Sequence, residues 1–422
     1  MSVQVFSDKK YNTQNKKMAN KKHKEKINDG KLRLITFISF LLGFSQSLLV
    51  YIESSYFELS LGSENVSVFY FISYVIALLG LLNMHKIIKL VGKSTAFFLC
   101  FFMQICAMAI LTMVPPSVFG IILLMVNIIT AYLMYVILDI IMESYSEDKK
   151  SGRIRGMHLT LISAGFMMGP ILSTRILEKY DYSGLFMLSM IISMIIFVIG
   201  LIGLRGGNNK FNGNITIRDL VKKIFINKNL MRIYWISFVL EFFYALMTVY
   251  TPLYLIDLGM TWSQIGVAFT IMLIPFILIN YPVGVIADKL LGEKEMIVFA
   301  LFIMAFSTLS VYFVNSKSVL IWGFVLFMTR VGAAMIETLR DSYFYKRIDG
   351  DDMDVISFFR TSRSAAYIAA TAVSAMLLVV FSVKIMFLFL VFVILLALYP
   401  AFTLVDNKSE AELKSSRKYV RA

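Results

Sequence analysis

Glu241, Arg330 and Glu53 sit inside long apolar runs of this chain, so acid–base chemistry held in hydrocarbon is what their types and positions allow. A lone arginine at the centre of a bilayer costs at least ~2.5–3.5 kcal/mol by insertion scales, so Arg330, near the middle of its run, must face an aqueous cavity or a partner. Glu241 lies about ten residues into its own run and matches Arg330 in depth. Desolvation favours the neutral acid there, and a nearby cation favours the carboxylate. Competition between the two would let Glu241 load and release a proton as access to it alternates, which makes it the leading coupling residue. Arg330 is then a charged residue of the cavity; the alternative is a buried ion pair that only fixes helix packing. Glu53, in the outer third of its run, is the second carboxyl candidate, placed where it can also simply reach external water.

Tyr132, Tyr135 and Asp139 are spaced by three and four, so they share one helix face and form a stripe leading from the cavity towards one mouth. Arg330 and Glu337, seven apart, share a face in the same way. Asp139, Glu143, Glu337 and Asp341 fall near Arg153, Arg155, Arg360 and Arg363, a set suited to interhelix salt bridges that close a gate, in preference to solute ligation. The acids also repeat. Asp139-x-x-x-Glu143-Ser144-Tyr145 returns as Glu337-x-x-x-Asp341-Ser342-Tyr343 after 198 residues, about half of the apolar region. His158 lies near the end of a run and reads as a bystander. Cys100 and Cys106 share one apolar run, which excludes a disulfide framework and a metal site. There is no phosphate-binding Gly-Lys-Ser/Thr loop and no metal-spaced cluster, so neither an enzyme, an ATP-driven pump nor a cofactor is expected.

The elements that must position these residues are membrane-crossing helices. Of 422 residues, 58% are hydrophobic and 16% charged, with a mean hydropathy of +0.75; a soluble domain carries about 25% charged residues. Apolar runs near the ~20 residues needed to cross ~30 Å of hydrocarbon recur along the chain. They predict twelve spans: 34–57, 65–84, 94–114, 117–141, 156–177, 183–204, 231–256, 262–287, 295–314, 318–340, 358–380 and 384–405. The first follows a Lys-rich leader but is too long for a signal-peptide core, so it reads as a retained span. Both tails, 1–33 and 406–422, then share one side with the even-to-odd loops. That side holds 36 of the 41 Lys and Arg residues, the opposite loops hold only Arg175, Lys179, Lys317 and Lys384, and Arg330 lies within a span. So uneven a division predicts cytoplasmic termini. It also assigns the net charge of +14 to lipid-facing loops and not to nucleic-acid binding. A basic central loop, 205–230, separates two six-span halves, 34–204 and 231–405. Pro275 and Pro282 predict a kinked or softened eighth span.

Two local motifs carry a resemblance. Gly284-Val-Ile-Ala-Asp288-Lys289-Leu-Leu-Gly292-Glu-Lys294, between spans eight and nine, is similar to the loop signature of the major facilitator superfamily, with one extra residue. The matching place in the first half keeps Gly80, Gly92 and Lys93 but has no aspartate. Gly156, Gly165, Gly169 and Pro170 in span five fall in register with that family's helix-5 antiporter signature, with Ser173 where the last glycine would stand. Small residues every four positions let helix backbones approach closely. Together with the six-plus-six arrangement, the chain resembles a major facilitator transporter from Leu34 to Val405, of the drug:proton antiporter type. The resemblance implies an all-α fold whose halves rock about a central site, a loop latch between the halves, and proton-coupled export of a small organic solute.

A symporter or facilitative importer is the alternative within transport, and a non-transporting receptor or scaffold on the same fold is the alternative outside it. The expected partners are a small-molecule solute, protons and the lipid bilayer. Nothing in the chain requires an oligomer, so a monomer is expected. Richness in Lys, Ile, Asn and Phe points to an AT-rich genome and a bacterial plasma membrane.

Overall fold

In hydrocarbon the backbone must satisfy its own N–H and C=O groups, and an apolar run does so by becoming helical. The computed structural model describes residues 29–63, 65–143, 151–203, 227–287, 292–347 and 353–405, and every regular element among them is a helix. The first half comprises α1 (Asp29–Ser47), α2 (Glu53–Leu61), α3 (Ser67–Leu82), α4 (Met84–Val91), α5 (Lys93–Leu111), α6 (Val118–Glu143) and α7 (Ser151–Gly203). The second comprises α8 (Lys228–Asp257), α9 (Trp262–Leu278), α10 (Asn280–Ile286), α11 (Glu293–Phe313), α12 (Val319–Tyr345), α13 (Met353–Leu377), α14 (Val383–Leu396) and α15 (Leu398–Thr403).

Eight stretches among the described residues are long and apolar enough to cross a membrane, and one of them, Thr160–Gly203, runs for 44 residues and crosses twice. It turns at Asp181, whose φ of 58° and ψ of −170° are non-helical and whose carboxylate accepts the Tyr182 N–H at 2.8 Å. The break falls in the predicted gap between spans five and six. The consecutive pair α1–α2, the shorter α3 and the charge-bearing α13 complete the twelve crossings.

Three predicted spans differ in detail. The first is interrupted: helix stops at Ser47 and resumes at Glu53, so Glu53 opens a new helix instead of continuing one. The eighth breaks at Ile279, where Pro282 lacks the N–H that would reach back to Leu278. The tenth extends past its estimated end at Arg340 to Tyr345, which puts Arg340 inside the packed helix.

Close backbone approach sets the packing inside each half. A Cβ at Gly165 of α7 would lie 2.2 Å from the Phe40 carbonyl oxygen of α1, and one at Gly332 of α12 would lie 2.7 Å from the Ala300 oxygen of α11. Both positions admit only glycine without moving a helix. Across the seam between the halves, α7 packs on α9, α3 on α13 and α2 on α8. With twelve crossings, both ends of the described chain emerge on one face, the terminus side.

Candidate functional site

Five hydrogen bonds among the described residues join the halves along the seam, and they run from the far side to the middle of the helices. The Glu178 carboxylate at the far end of the first limb of α7 accepts the Ser263 N–H at 2.6 Å, in the first turn of α9. Asn65 donates to the Ala375 carbonyl at 3.2 Å, and Ser67 meets both Ser374, at 3.0 Å, and Tyr250. Deepest is the pair of hydroxyls on Tyr132 and Ser364, 2.5 Å apart. One residue beyond Ser364, the Arg363 side chain is 48% accessible even though it lies mid-helix on the seam. Farther out, α3 packs on α13 and α8 on α13.

Around Arg363 stands a charge cluster built by three helices. Arg340 of α12 donates to Glu241 of α8 at 3.0 Å, and its other terminal nitrogen donates to the Ser237 hydroxyl at 2.7 Å, one turn away on α8. Arg363 of α13 approaches the second Glu241 oxygen at 3.8 Å. Glu241 is 7% exposed and Arg340 8%, so this is a buried ion pair with one solvent-reaching cation beside it. Asp341 adds a weaker contact to Arg340 at 3.4 Å. Aromatic rings connect the cluster to the first half: Arg363 lies 5.7 Å from the Tyr367 ring, Tyr367 packs on Tyr74 at 4.4 Å, and Tyr74 on Tyr132 at 6.1 Å.

The structure brings Glu241, Tyr132 and Tyr135 around Arg363, which approaches Glu241 at 3.8 Å and lies in electrostatic reach of both tyrosines. Arg363, expected at the gate, instead belongs to this cluster. Arg330 does not pair with Glu241; its guanidinium lies over the rings of Phe243 and Tyr244, 5.0 and 5.3 Å from their centroids. Glu337 does not bridge to a loop arginine among the described contacts but accepts the Tyr244 hydroxyl at 3.0 Å. Glu53 does not reach external water. It is 7% exposed, among Leu49, Tyr56, Leu124, Tyr182 and Phe186. Arg360 lies in electrostatic reach of Tyr132. The side chains of Asp139, Glu143, Arg153 and Arg155, together with Gly156 and His158, lie outside the described residues, as do Asp288 and Lys289.

Of the loop motif, Gly284 faces Thr338 of its own half, and Gly292, at φ 77°, starts α11 ahead of Lys294. Of the helix-5 motif, Gly165 and Gly169 press α7 against α1, while the buried Ser173 hydroxyl donates to the Pro170 carbonyl at 3.1 Å.

Arg340 was missed by sequence reasoning because it falls at the estimated end of span ten, where a long basic side chain would ordinarily reach the interface. The one available signal is its place between Glu337 and Asp341. The buried Glu293, which accepts Lys346 at 2.5 Å and Ser342 at 2.8 Å, was likewise not singled out. Replacing Arg340 by Gln leaves Glu241 with Arg363 alone. We expect a loss of about 2 kcal/mol, less than the ~3–5 kcal/mol of a fully orphaned buried charge. Unfolding of Arg340→Gln, Glu241→Gln and the double variant measures it, and the double should cost less than the two singles together.

Twelve spans in two halves meeting at a buried charged seam define a membrane transport protein. The Major Facilitator Superfamily model matches residues 35–349 and 257–421, and the chain belongs to that family. No curated protein matches the sequence. Solved structures share the fold at low identity. A POT family transporter in complex with 5-aminolevulinic acid superposes with a TM-score of 0.71 at 13% identity, covering 87% of this chain and 94% of that one. An auto-inhibited POT family peptide transporter gives 0.72 at 12%, covering 91% and 99%. The nucleoside transporter NupG gives 0.69 at 13%, covering 89% and 99%. These are transport proteins and not enzymes.

Proposed function

We propose that this chain is a proton-coupled secondary transporter of a small organic solute, with Glu241 as the proton carrier. The observation that carries the reading is the position of Glu241 between Arg340, at 3.0 Å, and the half-exposed Arg363, at 3.8 Å. Protonating the carboxyl abolishes its attraction for Arg363. Arg363 neighbours Ser364, which holds Tyr132 of the first half, so a proton on Glu241 loosens the deepest contact of the seam. Arg340 keeps Ser237 and Asp341 as partners through that change, so α8 and α12 stay together while α13 is released.

Alternating access then follows from rocking of 34–204 against 231–405, the far-side contacts parting as the terminus side closes. Asp139, Glu143, Glu337, Asp341, Arg153, Arg155 and Arg360 are assigned to closing the terminus-side mouth. The excess of Lys and Arg in the terminus-side loops supports a cytoplasmic terminus side. The in-register helix-5 glycines support exchange of solute for protons, and hence export. The solved structures of the same fold with small solutes support the size class.

The test is a pH-sensitive dye inside proteoliposomes, with candidate solutes added in turn. A solute-triggered proton movement opposite to the solute is the expected result. Movement in the same direction would replace antiport by symport, and solute flux with no proton movement would overturn proton coupling.

A further inference from the structure

We infer that Arg330 is the anchor for a carboxylate on the transported solute, an inference that rests on the seam being the transport site. Arg330 is 2% exposed. Its Nε and Nη1 atoms are buried and have no hydrogen-bond partner among the described residues. No described carboxylate forms an ion pair with it. Glu241 is held by Arg340 and Arg363, and Glu337 is held by Tyr244. A guanidinium carries five N–H donors and cannot shed its charge, so a buried one without an acceptor is a strong recognition element for an anion.

The direction in which it points is set by α12 itself. Gly332, two residues on, is pressed against α11, and residues two apart lie on roughly opposite faces of a helix. Arg330 therefore faces away from α11, towards α8 and the seam. There the Tyr51 side chain of the first half lies within its electrostatic reach. Tyr51 in turn packs on Phe269 of α9, 5.0 Å away, so an acceptor at Arg330 would touch both halves.

The rings fix the kind of anion. Phe243 and Tyr244 lie 5.0 and 5.3 Å from the guanidinium carbon. Ring faces attract the cation but offer its N–H groups no lone-pair acceptor, so those donors remain for a ligand. An edge of two parallel donors matches the two oxygens of a carboxylate, and a lysine could not reproduce that fork.

The experiment measures thermal unfolding of the purified full chain with carboxylates of graded size (acetate, benzoate, phenylacetate), each against its primary amide, at matched ionic strength. At least one carboxylate should raise the unfolding temperature where its amide does not. Arg330→Gln should weaken that binding about 10- to 100-fold, the range for a lost charge-assisted hydrogen bond. Arg330→Lys keeps the charge but not the fork, should also weaken binding, and decides the matter if Arg330→Gln does not fold.

Stabilisation by amides as strong as by carboxylates, equal stabilisation by sodium chloride, or unchanged affinity in both variants would overturn the inference. Binding needs neither flux nor protons, so its failure is separable from that of the transport reading. Carboxylate binding without proton movement would remove the coupling and keep the anchor. Proton-coupled flux of neutral solutes, unaffected at Arg330→Lys, would remove the anchor and keep the coupling.

Discussion

Glu241→Gln should abolish solute-driven proton movement in proteoliposomes while leaving the protein folded and inserted. Glutamine matches glutamate in shape and keeps a carbonyl oxygen that can accept from Arg340, 3.0 Å away in the native pair. The Ser237 hydroxyl and Asp341 also remain to hold Arg340, so the cluster is weakened but not orphaned. What the substitution removes is the proton site and the charge that holds Arg363. With Arg363 unrestrained from the start, the seam contact between Tyr132 and Ser364 no longer senses pH. Proton-driven flux should fall at least about 100-fold, which corresponds to roughly 2.7 kcal/mol of lost coupling, whereas solute exchange at equal pH on both sides should persist. Native-like pH-driven transport by Glu241→Gln would sink its assignment as carrier and direct attention to Glu53, another buried carboxyl.

The second large effect concerns the α1–α7 contact. Gly165→Leu should cost more than about 3 kcal/mol and lower the unfolding temperature sharply, beyond the ordinary range for overpacking. A Cβ there would sit 2.2 Å from the Phe40 oxygen and 2.8 Å from the Phe44 nitrogen, both backbone atoms of α1. Neither can yield as a flexible side chain would; the helices must separate. In a bilayer the association of helices relies on such packing, because lipid is as apolar as the interface. Ser173→Gly is the contrasting case. It removes one hydroxyl that already bonds within its own helix, to Pro170, and completes the family's motif. Its stability should stay within ~0.5 kcal/mol of the native protein. Thermal unfolding of both variants in one detergent measures the difference, and equal stability would mean that α1 and α7 part without penalty. The glycines of this motif hold α1 and α7 of the first half together.

How much was legible in the sequence depended on whether the deciding physics was local. The helical class, the twelve crossings and the mid-helix positions of Glu241 and Arg330 follow from the sequence alone. Hydrocarbon fixes the length and polarity of a crossing segment wherever its neighbours lie. Gly165 and Gly169 were legible for the same reason, since only a missing side chain permits such close approach.

Partner choice was not legible. Glu241 and Arg330 match in depth, yet Glu241 takes Arg340 and Arg363, from helices that follow it by 99 and more residues. Depth along the membrane is a one-helix property; rotation about each helix axis, which decides whether two side chains at one depth face each other, is a property of packed helices. The break at Ser47 and the burial of Glu53 likewise depend on what α7 and α6 press against them. Only the tertiary structure could turn a list of intramembrane charges into one satisfied cluster and one arginine still without an acceptor, because hydrogen-bond geometry is settled by surfaces that the chain brings together last.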